Sequence, residues 1–580
     1  MNFHELKLKL PTSSQSFAGL RNKGKVYVDK TAYVYELAAC DSPQILIRPR
    51  RFGKSTLLTT IEELFRHGVK PYDGHPSFFQ GLAIEELWQD EETYPVLRLN
   101  LHKLNSNCNT AAQFEQNLML AVANFCDEQQ LQVSAKLNSK LVAMVASKPL
   151  RFMALFEYML ELLPRPLVLL IDEFDAPIIH HYHQKNELNA CKLILSSLFD
   201  VIKDAPDKFR CVFCTGITRF QDLDLGMSVN NLTDVSLDEE FAACCGYTRD
   251  ELKQYFAQHL RYAAAVRNGC EPEAVSNQHI ETLLDDMSEW YDGYSFDGTE
   301  HNKVFSTWSV LRFFADAKAR LQPYWSTENG QGVPKVLKIA LDRIDVPQLL
   351  ADMRSGDIEV DYEEFMQSSL VNPEANPYSL LFQTGYLTFQ QPFNNGDDLY
   401  LKSPNREIDI AFGNLLCQRV FNMRKKLYSL AYINKTVPIL ASLDAEQIRA
   451  HFNSLFEELP SVHYPIHDEA TVQGYIFFHL RALGLKPRLE VITSSGRADC
   501  VFDLHEYRLT IVFEFKFESS ADAKKLDAKL KEALQQIKAR KYALNASSEP
   551  TVARFGLVFC GEPGNRGFAR VELADVVQVK

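Results

Sequence analysis

The sequence predicts a multidomain α/β chain. A parallel sheet with helices stands at the N-terminus, a helical and winged-helix-like stretch in the middle, and a second α/β domain at the C-terminus. Three observations carry this. Gln44 to Leu64 reads as a short apolar strand, a polar bend, and then Gly53-Lys54-Ser55-Thr56 opening an amphipathic helix. Pro166 to Ile171 is a continuous apolar run ending in Asp172-Glu173, the pattern of a buried parallel strand whose carboxyl end meets a ligand. Leu509 to Phe517 alternates, placing Glu514 and Lys516 on one face and Phe513, Phe515 and Phe517 on the other.

At 580 residues the chain is long enough for several domains, on the order of three to four. A hydrophobic content of 46% with 24% charged residues is that of a globular chain with real cores. The net charge of −13 excludes a protein that coats nucleic acid or membrane through bulk charge, while a local basic groove stays open. Met1 to Lys7 lacks the apolar core of a signal peptide. No run approaches the roughly 20 apolar residues that span a bilayer. The twelve cysteines are scattered. Cys211-x-x-Cys214 has a zinc-like spacing, but it sits in a strand-like apolar run with no second pair nearby, and buried thiols are expected there. A cytoplasmic protein with no membrane partner is expected.

Along the chain, Val26 to Thr31 reads as a strand leading into a helix with Tyr33, Leu37 and Ala38 at helical spacing. Asp29-Lys30-Thr31 is a helix cap or a wall of the pocket formed by the next strand. That next unit is a phosphate cradle. Arg51, Phe52, Gly53, Lys54, Ser55 and Thr56 make the bend and helix start, where backbone N–H groups face an anion. Lys54 reaches the terminal phosphates and Ser55 holds Mg²⁺. Arg48 stands where the usual pattern has its first glycine. A second strand follows at Tyr94 to Leu101, helices run from about residue 110 to 161, and then comes the strand ending at Asp172. In this reading Asp172 holds Mg²⁺ through Ser55 or through water, and Glu173 polarises the attacking water. A strand end capped by solvated acids is the competing account. Phe209 to Arg219 is a further buried strand, with Thr218 and Arg219 either sensing the γ-phosphate or closing a strand-end salt bridge.

Residues 237 to 410 are mainly helical, with aromatic landmarks at Trp290-Tyr-Asp-Gly-Tyr-Ser-Phe, Trp308 and Pro323-Tyr-Trp that are expected in cores. Leu380 to Phe389 reads as a helix stopping at Gly385 and turning into a strand, as in a winged helix. Residues 411 to 464 form a helical linker. The domain spans expected are therefore 1–236, 237–410, 411–464 and 465–580.

In the last span a helical run from Thr471 to Leu483 precedes strand-like Leu489 to Ile492. A turn at Ser494 to Arg497 follows, then Ala498-Asp499-Cys-Val-Phe and the strand carrying Glu514 and Lys516. Buried charges on so apolar a strand need partners, because leaving them unpaired costs several kcal/mol, roughly. A divalent ion held by Asp499 and Glu514 would satisfy both, and oxygen ligands suit Mg²⁺ or Mn²⁺. Lys516 would then act on the water or the scissile phosphate. A Glu–Lys pair bridging a sheet face competes with this on spacing alone. The next helix, Lys524 to Leu544, sets seven cations against three anions nearby and would face phosphates. Gln536 on it would orient the attacking water.

Taken together, the chain resembles a bacterial architecture that joins an AAA-ATPase-like P-loop domain to a C-terminal domain of the PD-(D/E)xK nuclease superfamily. The N-terminal marks are Tyr27-Val-Asp-Lys-Thr, Arg48-Pro-Arg-Arg-Phe-Gly-Lys-Ser, Ile171-Asp-Glu-Phe-Asp, Thr215-Gly-Ile-Thr-Arg, Trp290-Tyr-Asp-Gly-Tyr and Thr384-Gly-Tyr-Leu. The form Arg-Arg-x-Gly-Lys-Ser is also similar to signalling ATPases that use nucleotide as a switch. At the C-terminus Gly496-Arg-Ala-Asp499, Glu514-Phe-Lys516 and Gln536-Ile-x-x-x-Lys-Tyr542 carry the resemblance. It implies an ATP- and Mg²⁺-binding domain coupled to a metal-dependent deoxyribonuclease, with DNA as partner and a homo-oligomer compatible. The roles that fit this architecture are DNA defence and repair. The alternative is an ATP-switched signalling or nucleic-acid-binding scaffold with an inactive nuclease fold. One departure stands out: many members carry a glutamate on the helix before the first nuclease strand, and here Tyr475 stands in that place. Glu490 is the substitute acid, or the metal site is weaker than usual.

Overall fold

The computed structural model describes residues 9–11, 16–72, 74–131, 151–219, 232–299, 301–325, 335–345, 348–349, 352, 358–372, 375–390, 398–420, 430–457, 459, 466–493, 496–540 and 549–579. They divide into two compact units. The first comprises Met1–Leu321, Asn329–Arg343 and Glu359–Lys402; the second comprises Gln322–Glu328, Ile344–Ile358 and Ser403–Lys580.

The first unit is built on a parallel sheet of five strands, β1 (Gln44–Ile47), β2 (Val96–Asn100), β3 (Leu167–Asp172), β4 (Phe209–Gly216) and β5 (Thr233–Asp234). Their order across the sheet is β2-β3-β4-β1-β5. All six residues of β3 and all four of β1 are buried, as expected of strands covered on both faces. On one face Leu169, Ile171, Val212, Leu99 and Ile45 pack under the helices Ala111–Glu128, Arg151–Leu162 and Lys185–Asp204. The register pairs Ile47 with Gly216 and Asn100 with Asp172, so the carboxyl ends of four strands finish at one edge. Cys211 and Cys214 are free, buried thiols within β4, and burial pushes both well up, Cys211 to about 12.

The helix Lys54–His67 starts on Gly53 at φ +96° and ends on Gly68 at φ +66°. Between them Leu57, Leu58, Ile61, Leu64 and Phe65 are buried. The same unit contains the helices Arg249–Tyr255, Ala257–Asn268, Asn277–Tyr291 and Thr307–Ala315. Trp290, Tyr291, Tyr294 and Phe296 are buried, as the core reading of the aromatic landmarks expects. The helix Pro377–Gln383 ends before Gly385 at φ +83° and turns into β7 (Thr388–Phe389). That strand pairs antiparallel with β8 (Leu399–Lys402) in a sheet completed by β6 (Ile358–Val360).

The second unit carries a mixed sheet of β9 (Arg488–Thr493), β10 (Gly496–Leu504), β11 (Leu509–Glu518), β12 (Thr551–Cys560) and β13 (Gly567–Gln578), in the order β13-β12-β11-β10-β9. Only β11 and β12 run parallel; the other neighbours are antiparallel. A parallel pair needs a crossover, and the helix Ala523–Arg540 supplies it. The helix Glu469–Ala482 precedes β9 and crosses the helix Arg406–Val420 so closely that a Cβ on Gly413 would lie 2.5 Å from the Ala482 nitrogen. Phe513 and Phe515 anchor an aromatic core with Phe452, Phe502, Phe555 and Phe568. Glu514 and Lys516 therefore take the opposite face of β11.

Candidate functional site

Two groups of polar side chains collect at strand ends, one in each unit. In the first unit the bend after β1 is shaped by Arg51, held at φ +71°, and by Gly53. Arg48 explains why the loop closes without its first glycine. Its side chain is buried and donates to the carbonyls of Ile47 (2.9 Å), Ser236 (2.6 Å) and Phe241 (2.8 Å). Lys54 is buried and donates from Nζ to the carbonyls of Arg48 (2.7 Å) and Pro49 (2.9 Å). Burial pushes its ammonium down, against the pull of Cys245 and the acids Asp175, Glu173 and Asp172.

Across the loop, Ser55 Oγ donates to Asp172 Oδ2 at 2.9 Å. Thr215 Oγ1 and Asn100 Nδ2 donate to the same carboxylate at 2.8 and 3.1 Å. The aligned strand ends bring these three together. Glu173 takes φ +53° and lies 3.8 Å from His102 Nδ1; burial raises its carboxyl, partly offset by His102. Asp175 is fully buried and accepts from the N–H groups of Ile217 (2.9 Å) and Thr218 (2.8 Å) and from the Thr218 hydroxyl (3.0 Å). Sequence reasoning left Asp175 without a role, yet it fixes the turn after β4.

A pocket of about 390 Å³ opens at this point. Arg51, Phe52, Gly53, Lys54, Ser55 and Thr56 line it together with Glu173, and Tyr27, Val28 and Lys30 wall one side. Lys30 is pinned there by Glu251 Oε1 at 2.6 Å and the Ala243 carbonyl at 2.7 Å. Phe52 packs its ring on Tyr294 and Phe296. The Arg51 carbonyl accepts from Trp308 N at 3.3 Å and from the Thr307 hydroxyl.

Arg219 is absent from this lining. Its guanidinium pairs with Asp234 at 3.2 Å and lies over the Phe365 ring, while Gln383 holds its N–H. Of the two readings open for Arg219, the geometry is that of a strand-end salt bridge. Arg219→Ala is accordingly expected to lower stability by about 1–3 kcal/mol, as loss of a partly buried ionic hydrogen bond does. The ratio of ATP to ADP affinity should stay put; melting and titration calorimetry check the two halves.

In the second unit, main-chain pairing of β10 with β11 runs as far as Cys500 opposite Phe513. Beyond it the Asp499 side chain takes over: Oδ2 accepts from the Phe515 N–H at 2.7 Å. Lys516 Nζ donates to Glu514 Oε1 at 3.3 Å and to the Phe515 carbonyl at 2.8 Å. Glu514 Oε2 is buried without a hydrogen-bond partner. Burial and the neighbouring carboxylate push Glu514 up to about 8, and burial pushes Asp499 up to about 6. Burial alone lowers Lys516, but Glu514, Glu469 and Asp499 outweigh it and hold the ammonium above its usual range.

Glu469 is the acid that sequence reasoning missed. It lies 3.8 Å from Lys516 Nζ, on the first turn of the helix before β9. The helix starts two residues earlier than its apolar pattern suggests, because Asp468 and Thr471 form a capping box: Asp468 Oδ1 accepts from Thr471 N at 2.8 Å and Thr471 Oγ1 from Asp468 N at 3.1 Å. Asp-x-x-Thr was the available signal. Tyr475 is instead a core residue, fully buried against Phe456 with its hydroxyl on the Leu455 carbonyl. Glu490 pairs with Arg497 at 2.9 Å. Gln536 sits half-buried on the helix Ala523–Arg540 and makes no hydrogen bond to Asp499, Glu514 or Lys516. Lys541 and Tyr542 lie outside the described residues.

The donors suit a hard divalent cation: two carboxylates, one with a buried oxygen lacking a partner, and both held above their normal range. Asp499 and Glu514 stand as a pair; among the described residues no third acid, histidine or cysteine closes a ring of ligands. No helix of the described residues is long and apolar enough to cross a membrane.

Comparison with known proteins agrees with both groups. Residues 11–226 match the family model for a predicted AAA-ATPase, and residues 467–569 that of the PD-(D/E)XK nuclease superfamily. Along nearly its whole length the chain is also similar to an uncharacterized protein in the vnfD 5′ region of Azotobacter chroococcum mcd 1. The two are 28% identical over 562 residues, covering 93% of this chain and 95% of the relative. The parallel sheet with its Gly-Lys-Ser loop and the mixed sheet with its crossover helix thus correspond to an AAA-ATPase-like domain and a PD-(D/E)XK nuclease-superfamily domain, carried in that order on one chain.

Proposed function

We propose that this protein binds and hydrolyses ATP in the first unit and cleaves DNA in the second, with a divalent cation serving each site. Processing of foreign or damaged DNA is the role that suits this pairing. The observation that carries the reading is the Asp499–Glu514–Lys516 group, whose two carboxylates are held close together and partly neutralised while a lysine stays charged beside them.

Asp499 and Glu514 would hold Mg²⁺ or Mn²⁺, which when bound supplies positive charge at the scissile phosphate and makes water acidic enough to attack it. Lys516 contributes a fixed charge. Its ammonium keeps its proton through the working pH range, so it stabilises the developing phosphorane charge and does not act as a base. Glu469 and Glu514 position it from two sides. Asp499, tied to the Phe515 N–H, is fixed in place before any ligand arrives. Exposed Lys524, Lys525, Lys531 and Lys538 on the neighbouring helix attract the phosphate backbone.

In the first unit Lys54 and the first-turn N–H groups of its helix take the phosphates. Ser55 and Asp172 would hold the ion and Glu173 would orient the water. The test is incubation of full-length protein with plasmid, linear and single-stranded DNA, with Mg²⁺ or Mn²⁺, with and without ATP. Binding without cutting under every condition would replace the nuclease with an ATP-switched scaffold.

A pH prediction follows from the carboxylate pair. Both carboxyls are held up, Glu514 to about 8 and Asp499 to about 6, so the pair retains one proton at neutral pH. An incoming cation must displace that proton. Affinity for Mn²⁺ should therefore rise about tenfold per pH unit between roughly 6 and 8 and level off above, one proton being released per ion. In Glu514→Gln the slope over that range should vanish. Calorimetry in buffers of different ionisation enthalpy reads both, and a flat wild-type profile would remove the carboxylate pair as the ligand.

A further inference from the structure

The wall of the nucleotide pocket contains a feature that phosphate binding does not use. Cys244 and Cys245, adjacent in sequence, both line the pocket, and both are buried. The surroundings are cationic: Arg48 and Lys30 act on Cys244, and Arg48 and Lys54 on Cys245. Burial works to raise the Cys244 thiol, but the neighbouring Cys245 and the charges of Arg48 and Lys30 bring it down to about 7. Cys245 is pushed well up by the adjoining Cys244 and by burial. Two adjacent thiols on one pocket wall can both bond to a single thiophilic centre, and the cationic surroundings favour the thiolate that attacks first.

The segment bearing the pair is tied to the phosphate loop at both ends. Arg48 Nη2 donates to the Phe241 carbonyl at 2.8 Å, and Gly246 N donates to the Phe52 carbonyl at 3.0 Å. Lys30 Nζ holds the Ala243 carbonyl between them. A group attached to both sulfurs would therefore stand beside Lys54 on a strap fastened to the loop that carries it.

We propose that Cys244 and Cys245 form a dithiol modification site that captures trivalent arsenicals, and that nucleotide and arsenical exclude each other. With a monosubstituted arsine oxide, each sulfur forms a bond to arsenic and the arsenic–oxygen bond is broken. The oxygen leaves as water with the two thiol protons. Arsenic and sulfur keep their oxidation states. This proposal rests on the pocket being the nucleotide site.

The test uses the full-length chain and phenylarsine oxide. Intact mass and peptide mapping should show one arsenical bridging Cys244 and Cys245, resistant to a monothiol and released by a dithiol. Cys244→Ser, left with one thiol, should lose the monothiol-resistant adduct at this peptide. With Mg²⁺ and ATP at about 100 times its Kd, labelling should slow by about a hundredfold. The labelled protein should no longer bind ATP in calorimetry, and a dithiol should restore binding. Arsenical found only at other cysteines, or labelling of this pair at an unchanged rate in saturating ATP, would overturn the proposal. Failure of the unlabelled protein to bind ATP would instead overturn the nucleotide reading, and the mapped adduct would still decide whether the dithiol site exists.

Discussion

Glu514→Ala is expected to abolish DNA cleavage by the full-length chain, with the rate falling at least about a thousandfold at any Mg²⁺ or Mn²⁺ concentration, because one of the two proposed cation ligands and the anchor of Lys516 are lost together. Lys516→Ala separates these effects. It leaves Asp499 and Glu514 in place, so cation binding should survive while the chemical step falls by about two to four powers of ten, the range for loss of a positioned charge. The pair of measurements is cleavage of end-labelled DNA and Mn²⁺ binding by calorimetry. Cutting that persists unchanged in Glu514→Ala would assign the activity to another site or another protein. Loss of cation binding in Lys516→Ala would make the lysine part of the ion's support instead of a charge on the phosphate.

The second large effect belongs to the Gly-Lys-Ser loop. Lys54→Ala should weaken ATP binding by about 3 kcal/mol, roughly a hundredfold, since it removes two charge-assisted contacts to phosphate. It also frees the carbonyls of Arg48 and Pro49 that Lys54 holds in the bend. Glu173→Gln should act differently. The side chain lines the pocket without being part of the loop, so ATP affinity should hold within about threefold while hydrolysis slows by about 10²–10⁴. Equal ATP affinity in wild type and Lys54→Ala would show that the nucleotide, if bound, lies elsewhere. Equal hydrolysis in Glu173→Gln would return Glu173 to a capped strand end paired with His102.

Much of this site was open to local reasoning because its signals are local. A strand, a bend with Gly53 and a helix beginning at Lys54 are contiguous, and the backbone demand at Gly53 is written into one residue. The apolar run of β3 says both that the strand is buried and where it ends. Alternation along β11 separates Glu514 and Lys516 from the phenylalanines without reference to any other segment.

Other features depend on contacts between distant segments. Arg48 takes the place of a glycine because three carbonyls, two of them 188 and 193 residues away along the chain, meet its guanidinium. Arg219 follows β4 as a phosphate sensor would, but Asp234 and Phe365 claim it, and nothing near residue 219 announces either. The gathering of Cys244, Cys245, Lys30 and Lys54 around one pocket arises the same way.

The sequence by itself determined the two α/β domains, the Gly-Lys-Ser loop and the strand-borne acid and lysine, since periodicity and turn chemistry act over a few residues. Only the tertiary structure decided which helix acid faces Lys516. Glu469 and Tyr475 are six residues apart on one helix, and the packing of Tyr475 against Phe456 turns it into the core while Glu469, on the capped first turn, is left beside the charged face of β11. A helix pattern names its faces, but which partner each face meets is set by the energy of burying an aromatic ring against a neighbour far along the chain.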